Sequence, residues 1–248
     1  MIQLENITVQ VNKGLATEQT ILNNLSASFK AQSFTVIVGA NGSGKSTLLN
    51  TIAGNIICKD GVVLLDGNDV TKLPDYKRSR WIARVFQNPL EGTAPNLTII
   101  ENCRLAALRT KNKYLKIGIK KSFENHIKNQ LAILEMGLEN KLNTLVGNLS
   151  GGQRQALTLI MSVLDDCNIL LLDEPTAALD PKTANTIMEL SNKLIKQYQL
   201  TAIMVTHNLK DAHAYGNRII QLQEGKIVKD IEGEAKQQLT SEAMFNWF

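Results

Sequence analysis

"GANGSGKST" (residues 39–47) follows the apolar run "FTVIV" (34–38) directly and leads straight into "LLNTIAG" (48–54). Glycines at 39, 42 and 44 let the chain curl so that successive N–H groups point inward. A helix beginning near Lys45 adds the positive end of its dipole to the same spot. The spacing is G-x-x-x-x-G-K-[ST], in the strand–loop–helix setting that this pattern requires. A plain glycine turn would need neither the buried strand nor the lysine. The stretch therefore reads as an anion cradle for nucleotide phosphates, built from Gly39, Asn41, Gly42, Ser43, Gly44, Lys45, Ser46 and Thr47. Lys45 is expected to reach the β- and γ-phosphates and the Ser46 hydroxyl to coordinate Mg²⁺.

A cradle alone hydrolyses nothing. "NILLLDEP" (168–175) places Asp173 and Glu174 at the end of a buried strand, where ligands of open α/β sheets collect. Asp173 is expected to hold Mg²⁺ through its water shell, leaving Glu174 to orient and partly deprotonate the attacking water as general base. Acidic residues at strand ends also cap loops. Two in succession after an apolar run, beside the first motif, favour chemistry.

The rest of the chain supplies the frame. "MIQLENITVQV" alternates apolar and polar residues with one slip at Glu5-Asn6, and "TILNNLSASF" and "GVVLLDGNDV" behave similarly, so an antiparallel sheet wetted on one face is expected. "FTVIV", "NILLLD" and "TAIMVTH" (201–207) are uniformly apolar, as strands buried on both faces of a parallel sheet are. Helical stretches are expected at 45–53, 154–164, 181–197 and 208–214. Between them, "IIENCRLAALRT" and "KSFENHIKNQLAILEMGL" are helical in period with no convincing strand. The fold class is α/β, with an antiparallel β subdomain and an inserted α-helical subdomain. The divisions expected are 1–87 and 154–230 for the β subdomain and core, about 88–153 for the helical subdomain, and 231–248 for a tail. Met244, Phe245, Trp247 and Phe248 of that tail are expected to dock on the body.

Bulk properties exclude several classes. With 248 residues, 44% hydrophobic and 20% charged, the chain has ordinary globular values. A net charge of +4 does not imply nucleic-acid binding. Cys58, Cys103 and Cys167 show no metal-ligand spacing and read as reduced thiols. No window approaches the roughly 20 apolar residues of a membrane span, and the N-terminus lacks a secretory pattern. A soluble, cytoplasmic protein is expected; if it serves a membrane, it does so from the side.

"NLSGGQRQAL" (148–157) separates this chain from other ATPases. Ser150 is a good helix N-cap, and Gly151 and Gly152 leave the helix start uncovered, a second anion site. The first cradle already surrounds the phosphates, so the economical solution is that this one meets the γ-phosphate of ATP held by another copy. "LSGGQ" with "GANGSGKST", "LLLDEP", "FQNP" and "VTHN" resembles the nucleotide-binding domains of ABC transporters across essentially the whole chain. The resemblance implies a P-loop NTPase (RecA-like) core and an ATP-bound homodimer sandwich working with membrane permease subunits. It assigns Gln87 to the Q-loop, touching Mg²⁺ and the attacking water. Ser150, Gly151, Gly152 and Gln153 would close on the partner's ATP. Asp180 of "AALD" would lie at the subunit interface, and His207 would bond the γ-phosphate and set Glu174.

One family element is missing: residues 2–28 contain no Phe, Tyr or Trp to stack on adenine. The base is expected to rest on an aliphatic or polar side chain of "NKGLATEQ" (12–19), with weak discrimination between ATP and GTP. Long coiled-coil insertions, zinc cysteines and duplicated ATPase halves, which mark soluble relatives acting on DNA or ribosomes, are absent, so transport is the reading. "RVFQNPLEGTAPNLTIIEN", "LDEPTAALDPKTA" and "MVTHNLKDAHAYGNRII" resemble ATPases of bacterial uptake systems described as tryptophan/tyrosine-type, which implies a solute-binding protein as a further partner. The alternative is the ATPase of a split exporter. The insertion carries Arg104, Arg109, Lys111, Lys113, Lys116, Lys120, Lys121 and Lys128, read as a solvated face rather than a lipid-binding one.

Overall fold

The computed structural model describes residues 1–247 other than 13, 15, 16 and 112–117. Period-two alternation in the first residues gives β1 (Ile2–Val11) and β2 (Gln19–Phe29), which pair antiparallel. The slip at Glu5-Asn6 is a bulge: Asn6 has φ 52°, and the register shifts there against both neighbours of β1. β3 (Phe34–Val38) then feeds α1 (Lys45–Ala53), and β4 (Asp60–Leu65) with the short β5 (Asn68–Asp69) completes a four-stranded sheet in the order β2-β1-β4-β5.

After α2 (Asp75–Arg78) and β6 (Ile82–Val85) come α3 (Ile99–Ala106), α4 (Lys121–Ala132) and α5 (Gly151–Ser162). Capping boxes start two of these helices, Thr98 with Glu101 for α3 and Ser150 with Gln153 for α5. The remaining elements are β7 (Ile169–Asp173), α6 (Pro181–Gln197), β8 (Thr201–Val205), α7 (Leu209–Ala214), β9 (Arg218–Gln223), β10 (Lys226–Glu232), α8 (Glu234–Gln237) and α9 (Ser241–Phe245). The second sheet has the order β10-β9-β3-β8-β7-β6, parallel except for the β9–β10 hairpin.

Why three strands are apolar throughout is now visible. Phe34, Val36, Leu170, Leu172, Ala202 and Met204 face the helices on one side. Ile37, Ile169, Leu171, Ile203 and Val205 face α1 and the four-stranded sheet on the other. α1 lies between the two sheets, with Leu48, Leu49 and Ile52 buried. The cluster on the helical side continues through Ile99, Cys103, Ile127 and Leu131 of α3 and α4. At Cys103, burial pushes the thiol up to about 12.

Several expectations change. β6, β9 and β10 were not among the expected strands; "IARV" carries an arginine, and β10 alternates as an exposed hairpin arm. α4 stops at Ala132 instead of running to Leu138, because Glu135 and Gly137 both take left-handed backbone. α5 begins at Gly151, earlier than residue 154. In the tail, Met244 is buried and Trp247 packs on the core, but Phe245 is 62% exposed and does not dock. Phe248 lies outside the described residues.

Arg78 is the largest fully buried polar side chain described, 1% exposed. Its guanidinium donates to the carbonyls of Thr51 and Ile52 at 2.7 and 2.9 Å, in the last turn of α1, and to those of Leu73 and Thr71. The charge thus sits at the negative end of the α1 dipole and satisfies carbonyls that the helix leaves orphaned. Burial pulls its pKa below the ordinary arginine value, and the carbonyl cage offsets that cost. Arg78→Met is expected to lower the unfolding free energy by about 3 kcal/mol in urea titration, and Arg78→Lys by less. A wild-type midpoint for Arg78→Met would remove this role.

Candidate active site

Both ends of the cradle are fixed by the sheets. β3 delivers Gly39, and α1, wedged between the layers, receives Lys45 to Thr47. Gly44 has φ 101°, and a Cβ there would lie 2.9 Å from Leu22 Cδ2 and 3.1 Å from the Ile21 carbonyl on β2. Only glycine fits a left-handed residue pressed against that strand. Lys45 is 6% exposed and folds over the loop, donating from Nζ to the carbonyls of Gly39 and Ala40 at 2.8 and 2.9 Å. Burial lowers its pKa, opposed by the charges of Glu174 and Asp173. A lysine held this way has much to gain from a phosphate.

Asp173 and Glu174 reach the cradle from the end of β7. Ser46 Oγ donates to Asp173 Oδ1 at 3.2 Å, bringing together two hard oxygen donors suited to Mg²⁺. Glu174 sits in left-handed backbone, φ 44°, held by its N–H on the Val205 carbonyl at 3.0 Å. That conformation costs about 1–2 kcal/mol outside glycine, strain of the kind that collects at functional sites. Two side chains meet its Oε2: Gln87 Nε2 at 3.4 Å, from just past β6, and His207 Nδ1 at 3.0 Å, from just past β8. The three expected catalytic residues therefore share one oxygen atom. A cavity of about 600 Å³ is lined by Lys45, Ser46, Gln87, Glu174 and His207 together with Ile21, Asn41, Gly42, Gly44 and Thr47.

The "LSGGQ" residues sit elsewhere. Ser150 and Gln153 cap one another, Gln153 N–H to Ser150 Oγ at 3.2 Å and Ser150 N–H to Gln153 Oε1 at 3.3 Å. A Cβ on Gly152 would lie 2.3 Å from Thr183 Cγ2, so glycine is what lets α5 start against α6. Asp180 caps α6, accepting from the Thr183 N–H at 3.1 Å, and that bonding holds its carboxyl below the ordinary range. Ser150, Gly151, Gly152, Gln153 and Asp180 line a second concavity of about 450 Å³. It shares no lining residue with the first.

Two residues escaped the sequence reading. Ile21, on β2 just beyond the stretch expected to meet the base, is the one large apolar side chain among the described residues lining the cradle cavity; residues 13, 15 and 16 of that stretch lie outside the described residues. Arg84 Nη2 donates to Asp173 Oδ2 at 2.9 Å. Its signal was a charged residue inside the short strand run "IARV". The basic insertion is also less bare than its composition suggests. Lys121 and Lys128 pair with Glu124, Lys111 with Asp165, and Arg104 lies 5.1 Å from the Phe123 ring, while Lys113 and Lys116 fall outside the described residues.

Comparison with known proteins identifies the family. The family described as "ABC transporter" matches residues 22–177. A "Tyrosine transport ATP-binding protein" of Clostridioides difficile is 42% identical over 251 aligned positions, covering 100% of this chain and 98% of the relative. The "Thiamine import ATP-binding protein ThiQ" of Haemophilus ducreyi is 34% identical, covering 90% of this chain and 98% of the relative. Among solved structures, a dimeric ATP-binding cassette in a post-hydrolysis state bound to ADP and Pi superposes with a TM-score of 0.80 at 30% identity, covering 94% of this chain and 98% of that one. A cradle, a carboxylate pair at the end of β7 and a separate glycine-led helix start, on this fold and with these relatives, place the chain in the ABC transporter family as an ATP-hydrolysing, ATP-binding subunit.

Proposed function

We propose that two copies of this chain close over two Mg-ATP molecules and that hydrolysis there drives a bacterial importer of a small solute. The observation that carries the sandwich is the separation of the two concavities. The glycine-led start of α5 lines no part of its own cradle, so its free N–H groups are available to an ATP held by a second copy. A solved cassette of 30% identity that is dimeric and bound to ADP and Pi supports a dimer.

In this reading Lys45 and the backbone of residues 39–47 hold the phosphates. Ser46 and Gln87, with Asp173 through the water shell, would hold Mg²⁺, which would neutralise charge on the β- and γ-phosphates. Glu174 takes a proton from water as the water oxygen bonds to the γ-phosphorus and the bond to the β-phosphate oxygen breaks, leaving ADP and phosphate. Gln87 and His207 orient that carboxylate and the water. Ser150, Gly151, Gly152, Gln153 and Asp180 of each copy complete the other's site. Loss of the γ-phosphate removes the bridge between copies, a two-state element biased by nucleotide.

Residues 88–153 are read as a helical subdomain meeting membrane permease subunits, with the chain peripheral on the inner face of the membrane and a solute-binding protein in the full system. Among the described residues no helix is long and apolar enough to cross a membrane. The full-length likeness to a tyrosine transport protein supports an amino acid as cargo.

Glu174→Gln is expected to bind ATP, lose hydrolysis and elute as a dimer with Mg-ATP on size exclusion; adding Lys45→Ala should return it to monomer. A Glu174→Gln protein that stays monomeric at saturating Mg-ATP would sink the sandwich. With Ile21 in place of an aromatic platform, ATP and GTP should be hydrolysed at rates within about threefold, since discrimination of that kind needs base-specific hydrogen bonds. A strong ATP preference would count against this. Loss of the chain from its host should abolish uptake of labelled tyrosine at low external concentration, and unaltered uptake would refute that cargo.

A further inference from the structure

Arg84 has no part in the reading above, yet it binds the carboxylate that the reading gives to the metal. We propose that Arg84 is a positioning residue: by fastening one oxygen of Asp173 to the cradle helix, it presents the other oxygen, at a fixed distance from Ser46, to Mg²⁺. The proposal rests on the assignment of Asp173 to the metal.

The geometry divides the carboxylate cleanly. Oδ1 faces Ser46 Oγ at 3.2 Å, and Oδ2 accepts from Arg84 Nη2 at 2.9 Å. The other arm of the guanidinium, Nη1, donates to Asn50 Oδ1 at 2.6 Å and Asn55 Oδ1 at 3.2 Å. Asn50 and Ser46 are four residues apart on α1, so they share a helix face. Arg84 thus spans the two elements, α1 and the end of β7, that carry the oxygens read as serving one ion. Its Cζ lies 4.6 Å from the Phe86 ring centre, which sets the plane of the fork. Both side chains of the pair are sheltered, at 12% and 10% exposure, so the contact is poorly screened by water.

A guanidinium next to a metal-binding carboxylate has two opposed effects. Its charge weakens the pull of Asp173 on a cation, and its fork fixes where the oxygen points. Mg²⁺ keeps several waters in near-ideal octahedral positions, so a carboxylate that reaches it through that water shell is effective only where its oxygen meets those waters. Placement therefore outweighs charge here. The two effects predict opposite signs, which makes them separable. Lysine would keep the charge but lose the two-armed span.

The test measures the Mg²⁺ concentration that half-maximally raises affinity for a fluorescent, non-hydrolysable ATP analogue, with affinity in EDTA as the metal-free reference. Arg84→Met is expected to raise that concentration about tenfold with the EDTA affinity unchanged, the usual range for a residue behind a metal ligand. Arg84→Lys should shift it in the same direction, and Asn50→Ala less so. Since Arg84→Met removes a buried charge and can fail to fold, Arg84→Lys and Asn50→Ala carry the test alone if needed. A half-saturating concentration equal to or below wild type in a folded Arg84 variant overturns the proposal, as does an equal loss of affinity in EDTA. Asp173→Asn separates the two levels. If it leaves the Mg²⁺ dependence intact, the metal assignment has failed; if it abolishes the dependence while Arg84 variants keep it, only the positioning role has failed.

Discussion

Helix α1 is a dipole buried between two sheets, and its two ends are treated oppositely. At the C-terminal end, Arg78 donates to the Thr51 and Ile52 carbonyls from within the core. At the N-terminal end, the first N–H groups have no helical partner and open onto the cradle cavity. Closing one end with a cation and leaving the other for an anion gives the helix a direction in charge as well as in space. Packing from both faces, through Leu48, Leu49 and Ile52, keeps it from tilting away from that alignment. The site's precision therefore comes from the core.

What could be read from residue order was what depends on local chemistry. The cradle, the carboxylate pair, the capping residue at Ser150 and the bulge at Asn6 each need particular residue types at short spacing, so each left a local mark. What could not be read depends on neighbours distant in sequence. β6 and β9 are strands because β7 and β3 offer them an edge, and "IARV" is too short and too charged to announce itself. The setting of Glu174 by His207 was implied by the family resemblance; that Gln87 meets the same Oε2 was not, because the contact joins three strand ends. Ile21 belongs to the cavity because Gly44 brings the cradle against β2. Phe245 was expected inside on hydrophobicity alone, but a five-residue helix buries only one face, and Met244 takes it.

Glu174 shows how strain and contact are combined at the carboxylate read as the general base. Its left-handed backbone turns the chain just after β7, and the N–H bond to Val205 keeps it there against the ordinary preference of a glutamate. With Oε2 met by Gln87 and His207, one oxygen orients the group and the other has no hydrogen-bond partner among the described residues. A base that must align a water needs this inequality between its two oxygens, because a carboxylate free to flip would spread the water over several positions.

The same logic extends one residue back. Asp173 and Glu174 end β7, and each is met from β6 or its exit: Asp173 by Arg84, Glu174 by Gln87. β6 is the edge of the six-stranded sheet, paired with β7 alone, and the chain leaves it directly for the helical insertion. Arg84 also lines the groove of about 590 Å³ between the core and that insertion, beside Asn102 and Arg109. β6 with its exit thus carries contacts to both carboxylates, and the strand is held from one side only. One carboxylate is read as holding the ion and the other as activating water, so a shift of about an ångström in β6 would degrade both at once.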